Sequence, residues 1–197
     1  MSRRHKSAEQ SEQIDTIREA LGQRSLVMVG LMGCGKSSVG RRLASKLELP
    51  FVDADDEIEK AAAKSIADIF ADHGEAHFRD GERKVIARLL SSGRQVLATG
   101  GGAFMDADTR QSIQDHGISI WLKATLPVLL RRVGRRDHRP LLRQGDAEAT
   151  MKRLIDERYP VYAASDLTIE SRDVVHDVVV TEIIDRLARL LPLNRPS

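Results

Sequence analysis

The sequence predicts an α/β domain of three layers, in which a five-stranded parallel sheet is covered by helices on both faces. Two observations predict this class. Short continuous apolar runs, typical of strands buried on both faces, alternate with longer segments whose apolar residues recur at helical spacing. The length of 197 residues also suits one domain with a substantial core.

Strands are predicted at the five apolar runs, which cover residues 26–29, 50–53, 95–98, 118–122 and 167–169. Helices are predicted over residues 38–47, 56–63, 65–70, 75–90, 106–116, 125–133, 147–159 and 173–191. The first of these helices shows the basis of the prediction, because Val39, Leu43 and Leu47 fall on one of its faces.

Capping and breaking residues set the ends of several helices. Ser65 opens one through a capping box with the acidic residue three positions later, and Gly74 ends it. Pro127 lies in the first turn of another, where its missing N–H does no harm. Pro160 is predicted to end the helix before it, and Asp173 to cap the last helix. The apolar stripe predicted for that last helix comprises Val175, Val178, Val179, Ile183, Ile184, Leu187 and Leu191.

A glycine-rich stretch follows the first predicted strand. It contains Gly30-x4-Gly35-Lys36-Ser37, which matches the phosphate-binding pattern G-x-x-x-x-G-K-[ST]. Gly30, Gly33 and Gly35 let backbone N–H groups approach an anion at the positive end of a helix. Lys36 is placed to reach the β- and γ-phosphates, and the Ser37 hydroxyl is a hard oxygen ligand for Mg²⁺. The alternative, a glycine-rich turn before a lysine by chance, is disfavoured by the strand before it and the helix after it.

Two other predicted strands end in residues suited to chemistry. Asp53 and Asp55 follow the second strand, and residues 100–102 are three consecutive glycines after the third. In a parallel sheet these ends lie beside the phosphate-binding stretch, where open α/β sheets bind ligands. The carboxylates would attract a divalent cation or accept a proton, and the bare backbone would permit close approach of a ligand. The alternatives are helix-capping aspartates and a flexible loop.

The loop over residues 134–146 is strongly basic, with six arginines and one acid between positions 131 and 143. Glycines near both of its ends are typical of a mobile lid. Arginine suits phosphate because its planar fork bonds two oxygens at once. We predict a lid with one or two nucleotide-contacting arginines, against the alternative of a solvated basic loop.

Composition excludes several classes of function. The chain has 31 basic and 29 acidic residues, a net charge of +2, without the basic excess of a general nucleic-acid binder. No apolar run is long enough to span a membrane. Cys34 is the only cysteine, which rules out an intrachain disulfide and favours a reducing, cytoplasmic location.

Residues 1–24 are predicted as an N-terminal extension ahead of a single domain over residues 25–192. The extension is polar, and Ile14, Ile17 and Leu21 lie at helical spacing near its end. A tail followed by a short docked helix is therefore expected, and the alternative is a frayed basic tail.

Taken together, the motifs resemble those of the shikimate kinase family. The resemblance spans about residues 24–190 and is carried by GLMGCGKSSVGRRLA, FVDADDEIE, SIADIF, GEAHFRDGE, TGGGA, RPLL and ERYPVY. It implies a P-loop kinase fold and transfer of the ATP γ-phosphoryl group to the 3-hydroxyl of shikimate, a step in aromatic amino-acid biosynthesis. It also implies Mg²⁺ as cofactor, with ATP and shikimate as small-molecule substrates. We expect a monomer.

The resemblance implies roles for individual residues. Lys36, Asp55 and Arg139 would be catalytic, with Asp55 as the base and Arg139 reaching the transferring phosphate from the lid. Ser37 and Asp53 would serve the metal. The implied ATP-binding set is Gly33, Cys34, Gly35, Lys36, Ser37, Ser38, Arg132, Arg139 and Arg172. The implied shikimate-binding set is Asp55, Arg79, Gly100, Gly101, Gly102, Arg158, Phe70, Phe78, Pro140 and Leu141.

The chemistry of shikimate agrees with these assignments, because two arginines suit its carboxylate, an aspartate its hydroxyls and apolar residues its ring. Two alternatives stay open: another small-molecule P-loop kinase, acting on gluconate or a nucleoside monophosphate, and a non-catalytic nucleotide-binding module.

The chain departs from the common family pattern at two positions. Cys34 stands where the family commonly has Ala or Ser, and Ser38 stands where it commonly has Thr. Because thiols at helix N-termini are often reactive, we expect Cys34 to be alkylated readily in the nucleotide-free protein.

Overall fold

A computed structural model describes residues 3–134 and 146–191, with side chains from residue 11 onward. Five parallel strands form one sheet in the order β2-β3-β1-β4-β5, which confirms the predicted class. The strands are β1 (Ser25–Val29), β2 (Phe51–Asp53), β3 (Val96–Ala98), β4 (Gly117–Lys123) and β5 (Leu167–Glu170).

Helices cover both faces of the sheet. They are α1 (Arg3–Leu21), α2 (Lys36–Leu47), α3 (Ala54–Ala62), α4 (Ile66–Ser91), α5 (Ala107–His116), α6 (Leu126–Gly134), α7 (Ala147–Tyr162) and α8 (His176–Leu190), with a short 3-10 helix at Ala103–Met105. In one layer, α1, α2 and α8 pack against one another, and in the other α4 packs against α5 and α6 against α7. The core between the layers includes all five residues of β1, the central strand.

The register of the sheet aligns the carboxyl ends of three strands. Met28 of β1 lies opposite Ala98 of β3, and Ala98 in turn lies opposite Asp53 of β2. The residues that follow these positions therefore emerge side by side at one edge of the sheet.

The expected N-terminal helix is present and docks on α2 and α8, but the tail predicted before a short helix is wrong, because the helix begins at Arg3 and runs for 19 residues. Ile17 and Leu21 are completely or almost completely buried. An ion pair of 2.9 Å between Arg18 and Glu48 adds a contact to the residue that follows α2. The described residues contain no helix with the length and apolar character that a bilayer crossing requires.

The predicted end of α7 is wrong, because the helix runs two residues past Pro160. A proline inside a helix removes one backbone hydrogen bond. Tertiary contacts of the last turn offset that loss: the Tyr159 hydroxyl donates to the carbonyl oxygen of Ala124, and Tyr162 is fully buried.

The predicted start of α8 is also wrong. The helix begins at His176, and the carboxylate of Asp173 pairs with Arg131 instead of capping it. Val175 and Val178, expected in the apolar stripe, are 71% and 50% exposed. The buried residues of the helix are Val179, Val180, Ile183, Ile184 and Leu187.

The helix cap predicted at Ser65 is confirmed, since its side chain accepts the N–H of Asp68 at 3.1 Å. The Asp68 carboxylate accepts the Ser65 hydroxyl at 2.6 Å and not the Ser65 N–H, so the reciprocal bond of a capping box is not formed among the described residues. The two helices predicted on either side of Gly74 form one helix, α4, with a kink at that glycine, where φ is 78° and ψ is 175°. The break in the pattern was therefore placed correctly, although the chain continues as a helix beyond it.

Candidate active site

The phosphate-binding stretch, residues 30–37, connects β1 to the first turn of α2 and is called the phosphate loop below. Backbone φ is 142° at Gly30, 81° at Gly33 and 103° at Gly35, in the region that favours glycine. A Cβ on Gly30 would lie 2.8 Å from the carbonyl oxygen of Leu122 on β4. The glycines therefore let the loop turn tightly into a helix N-terminus, which suits an anion.

The Lys36 side chain folds back over the phosphate loop. Its Nζ donates to the carbonyl oxygens of Gly30 at 2.7 Å and Leu31 at 3.1 Å. These two hydrogen bonds hold the ammonium group against the phosphate loop, whose backbone would surround the phosphates. A phosphate in the loop would offer stronger, charged acceptors to this donor.

Ser37 and Asp53 lie together, as predicted for a metal site. The Ser37 hydroxyl donates to Oδ2 of Asp53 at 2.7 Å, while Oδ1 of Asp53 accepts the N–H of Asp55 at 3.2 Å and so caps α3. Asp53 therefore satisfies both alternatives left open by the sequence, a capping role and a place beside the phosphate loop. Two hard oxygens fit Mg²⁺, which usually completes its shell with phosphates and water. In the described part of the chain, no three His, Cys, Asp or Glu side chains gather as a metal site by themselves.

The three glycines at 100–102, called the glycine ribbon below, are the meeting point of the predicted acceptor-binding residues. A Cβ on Gly100 would lie 3.1 Å from Oδ1 of Asp55. A Cβ on Gly101 would lie 3.5 Å from Nη1 of Arg158, and one on Gly102 would lie 2.5 Å from Nη1 of Arg79. Nη1 of Arg158 also donates to the carbonyl oxygen of the middle glycine at 2.9 Å. Side chains from α3, α4 and α7 thus converge where the backbone is bare.

The glycine ribbon also abuts the phosphate loop. A Cβ on Gly101 would lie 3.6 Å from the backbone nitrogen of Met32 and 3.7 Å from the carbonyl oxygen of Gly30. The acceptor-binding residues and the phosphate loop therefore share one edge of the sheet, as the alignment of the strand ends requires.

Glu82 is a member of this cluster that the sequence reasoning missed. Its Oε2 pairs with Nη1 of Arg79 at 2.6 Å, and its side chain is only 3% exposed. Oε1 is buried without a hydrogen-bond partner among the described residues and would lie 2.6 Å from a Cβ on Gly100. Burial raises the pKa of Glu82, the charge of Arg79 opposes that rise, and the charge of Asp55 adds to it. The available signal was the three-residue spacing of Arg79 and Glu82 on a helix.

Two tyrosines of α7 hold neighbouring parts of the site, and one of them bonds to the glycine ribbon. The Tyr162 hydroxyl donates to the carbonyl oxygen of Gly101, and Tyr159 anchors the end of the same helix. Burial raises the pKa of each tyrosine to about 12, so both remain donors at neutral pH. Trp121, the only tryptophan of the chain, lies edge-on to Tyr159 with ring centres 4.9 Å apart.

Phe70 and Phe78, the predicted apolar wall, lie together with ring centres 4.6 Å apart. Phe78 is buried, and the Arg79 guanidinium carbon lies 5.1 Å from the centre of its ring. Three other predicted residues, Arg139, Pro140 and Leu141, lie outside the described residues, as does most of the predicted lid.

On the other side of the phosphate loop, Arg132 joins the loop to the segment after β5. Its Nη1 donates to the carbonyl oxygen of Cys34 at 3.1 Å and to Oγ of Ser171 at 2.8 Å. Ser171, which is not in the predicted ATP-binding set, is buried and donates to the same Cys34 oxygen at 2.6 Å. Arg172 pairs with Glu182 of α8 at 2.9 Å, so its guanidinium is engaged there. Ser38, also assigned to the nucleotide, lies in the first turn of α2.

The expected reactivity of Cys34 is wrong for this conformation. The thiol is completely buried, and a Cβ on Gly30 would lie 2.8 Å from its sulfur. The tight turn of the phosphate loop directs the side chain into the core, where an alkylating reagent does not reach it. Its backbone is engaged as well, since the Cys34 N–H donates to the carbonyl oxygen of Leu31 at 3.2 Å.

Comparison with known proteins identifies the family of the chain. A family model described as shikimate kinase matches residues 32–188. The chain belongs to the shikimate kinase family. A shikimate kinase from Bradyrhizobium diazoefficiens is 60% identical over 171 residues, which cover 87% of this chain and 83% of that relative. A shikimate kinase from Brucella canis is 52% identical over 188 residues, 95% of this chain and 94% of the relative.

Solved structures of the same family share the fold. The shikimate kinase from Acinetobacter baumannii in complex with shikimate has a TM-score of 0.79 at 32% identity, covering 92% of this chain and 99% of that one. The enzyme from Bacteroides thetaiotaomicron has a TM-score of 0.78 at 27% identity, covering 86% and 99% of the two chains. A gluconokinase from Sinorhizobium meliloti, with a TM-score of 0.54 at 18% identity and coverage of 87% and 95%, shares the fold alone.

Proposed function

We propose that the protein transfers the γ-phosphoryl group of ATP to the 3-hydroxyl of shikimate. The observation that carries this proposal is the convergence of Asp55, Arg79 and Arg158 at the glycine ribbon, against the phosphate loop. Membership of the shikimate kinase family and the shikimate-bound relative of similar fold support it.

The acceptor-binding residues match the groups of shikimate. Arg79 and Arg158 bind its carboxylate through charged hydrogen bonds, and Phe70 and Phe78 pack against the ring. Asp55 orients the hydroxyl and accepts its proton as the acceptor oxygen bonds to the γ-phosphorus and the bond to the β–γ bridging oxygen breaks. The products are shikimate 3-phosphate and ADP.

The phosphate loop and its lysine position the donor. Lys36 leaves the carbonyl oxygens of its own loop and binds the β- and γ-phosphates, so that its charge stabilises the transferring group. Ser37 would hold Mg²⁺ directly and Asp53 through the outer shell. When bound, the ion neutralises charge on the same phosphates.

The remaining assignments follow the family pattern. Arg139 reaches the γ-phosphate from a lid over about 134–146, while Pro140 and Leu141 close the pocket over the ring. Arg132 and Arg172 lie on the adenine side. The protein acts as a monomer in the cytoplasm, with residues 1–24 as an extension of the domain over 25–192.

The test is an ADP-release assay with Mg²⁺, ATP and one acceptor at a time: shikimate, gluconate or a nucleoside monophosphate. ADP that appears only with shikimate is the expected result. Turnover with another acceptor and not with shikimate would replace the proposal, and no turnover with any would favour a binding module. The fluorescence of Trp121 provides a measure of shikimate binding that does not depend on turnover. Trp121 packs against Tyr159 and Tyr162, and the Tyr162 hydroxyl donates to the glycine ribbon, so bound shikimate is expected to quench its fluorescence.

A further inference from the structure

Two exposed histidines lie outside the proposed kinase site, on the helix that carries the acceptor-binding arginine. His73 and His77 are four residues apart on α4, and their ring centres are 4.7 Å apart. Neither ring makes a hydrogen bond within the described chain, so the imidazole nitrogens are available to another ligand. The proposed phosphoryl transfer makes no use of either side chain.

The spacing of the two rings suits one metal ion. Imidazole is a good ligand for Zn²⁺, Ni²⁺ and Cu²⁺. A cation about 2 Å from one nitrogen of each ring would hold the ring centres about 4.5 to 5.2 Å apart, for N–metal–N angles from about 90° to about 109°. We propose that His73 and His77 chelate one divalent transition-metal ion of this group, with Zn²⁺ as the probe. Because no third protein ligand gathers there in the described chain, water fills the other positions.

The aspartates next to the two histidines are paired with cationic side chains. Asp72 pairs with Lys64 at 2.9 Å, and Asp80 pairs with Arg83 at 2.6 Å and Lys84 at 2.7 Å. The flanking carboxylates are thus occupied by cationic side chains. Two imidazole ligands without a carboxylate favour transition metals over Mg²⁺, which prefers oxygen ligands.

The site would also bridge the kink of α4. Gly74, with φ of 78°, lies between the two histidines, and the stacked rings of Phe70 and Phe78 span the same kink. A metal held by His73 and His77 therefore ties the first part of the helix to the part that carries the acceptor-binding arginine. Metal binding is expected to slow backbone amide exchange over residues 70–79.

The experiment measures thermal unfolding of the full chain with and without ZnCl₂, in the absence of nucleotide. His73→Ala and His77→Ala remove the chelate, and His116→Ala, an exposed histidine on α5, is the matched control. At a Zn²⁺ concentration about ten times the dissociation constant, wild type and the control should gain about 3 to 6 °C in Tm. Both single variants of the pair should lose that gain, and MgCl₂ should give none.

The metal-free Tm of each variant, expected to match wild type because the side chains are exposed, verifies that the fold is intact. The proposal is overturned if wild type gains no stability, if either variant of the pair keeps the gain, or if the control loses it too. Amide exchange over residues 70–79 that stays unchanged in Zn²⁺-bound wild type would refute the bridge across Gly74.

Discussion

The two sides of the proposed active site are built in different ways. The phosphate loop is a backbone structure, held in shape by positive φ at three glycines within one contiguous stretch. The acceptor side is made of charged side chains, Asp55, Arg79, Glu82 and Arg158, that reach the glycine ribbon from three helices. The loop uses the main chain to bind an anion, whereas the acceptor side depends on balanced charges in a partly buried space.

This difference predicts opposite sensitivities. The phosphate loop should tolerate the loss of side-chain atoms better than the gain of a Cβ, because the added atom meets backbone that does not move. The acceptor side should be damaged most by the loss of a charge, because an unpaired buried partner remains behind.

The largest expected effect is on the acceptor side. Asp55→Asn keeps the shape of the side chain but removes the proposed base, so kcat should fall by about 10²- to 10⁴-fold. Asp56→Asn, which changes the exposed neighbour, is the matched control and should leave kcat nearly unchanged. Steady-state ADP release measures both, and equal rates for Asp55→Asn and wild type would remove Asp55 from the mechanism.

In the phosphate loop, Gly30→Ala should destabilise the folded protein. The new Cβ meets the carbonyl oxygen of Leu122 and requires φ of 142°, so the free energy of unfolding should fall by about 3 kcal/mol and Tm by about 6 to 12 °C. Gly81→Ala is the control, because that helical glycine has open space around it and alanine favours helix. Calorimetry compares the two, and a Gly30→Ala protein as stable as wild type would contradict a backbone-shaped loop.

The same contrast explains what could be predicted from the sequence. The phosphate loop and its flanking elements were predictable because the strand, the glycines and the helix are adjacent in the chain. The acceptor cluster is scattered over α3, α4 and α7, so only the family resemblance predicted that Arg79 and Arg158 would meet. Nothing local to Glu82 indicates that its carboxylate is buried.

The errors at helix ends have a related cause. Asp173 has the residue type of a helix cap, but its carboxylate pairs with Arg131 from a distant helix. Pro160 is a helix breaker, yet burial of Tyr162 keeps the last turn in place. In both places a long-range contact outweighs a local preference, and a local pattern does not contain that contact.

A smaller effect is expected for Arg79→Ala. Loss of a charged hydrogen bond to the acceptor carboxylate, worth about 2 kcal/mol, should raise the KM for shikimate about 30-fold and leave the KM for ATP nearly unchanged. Arg83→Ala, on the same helix, is the control, because Arg83 pairs with Asp80 and does not reach the glycine ribbon. If the KM for ATP rises instead, Arg79 serves the phosphate side of the site. The distinction between the phosphate loop and the acceptor side would then be lost for this residue.

The smallest expected effect concerns the counter-ion of that arginine. In Glu82→Gln the hydrogen bond to Arg79 persists without the negative charge, which should raise the KM for shikimate only about threefold.

The pH dependence of the free energy of unfolding is the sharper measurement for Glu82→Gln. Because burial raises the pKa of Glu82 above its ordinary value of 4.5, the protonated form stabilises the folded state at low pH. That contribution is lost as the pH rises through the raised pKa.

The glutamine variant has no such proton to lose, so its stability relative to wild type should increase as the pH rises from about 4.5 through the raised pKa. Urea unfolding at several pH values measures the difference. If attraction to Arg79 outweighed burial, the pKa of Glu82 would instead lie below its ordinary value of 4.5, and wild type would gain on the variant as the pH rises through that lowered pKa to about 4.5. A gain by wild type would mean that the acceptor side is held together by its ion pair. A gain by the variant would mean that burial of the Glu82 carboxylate costs more stability than its pairing with Arg79 offsets.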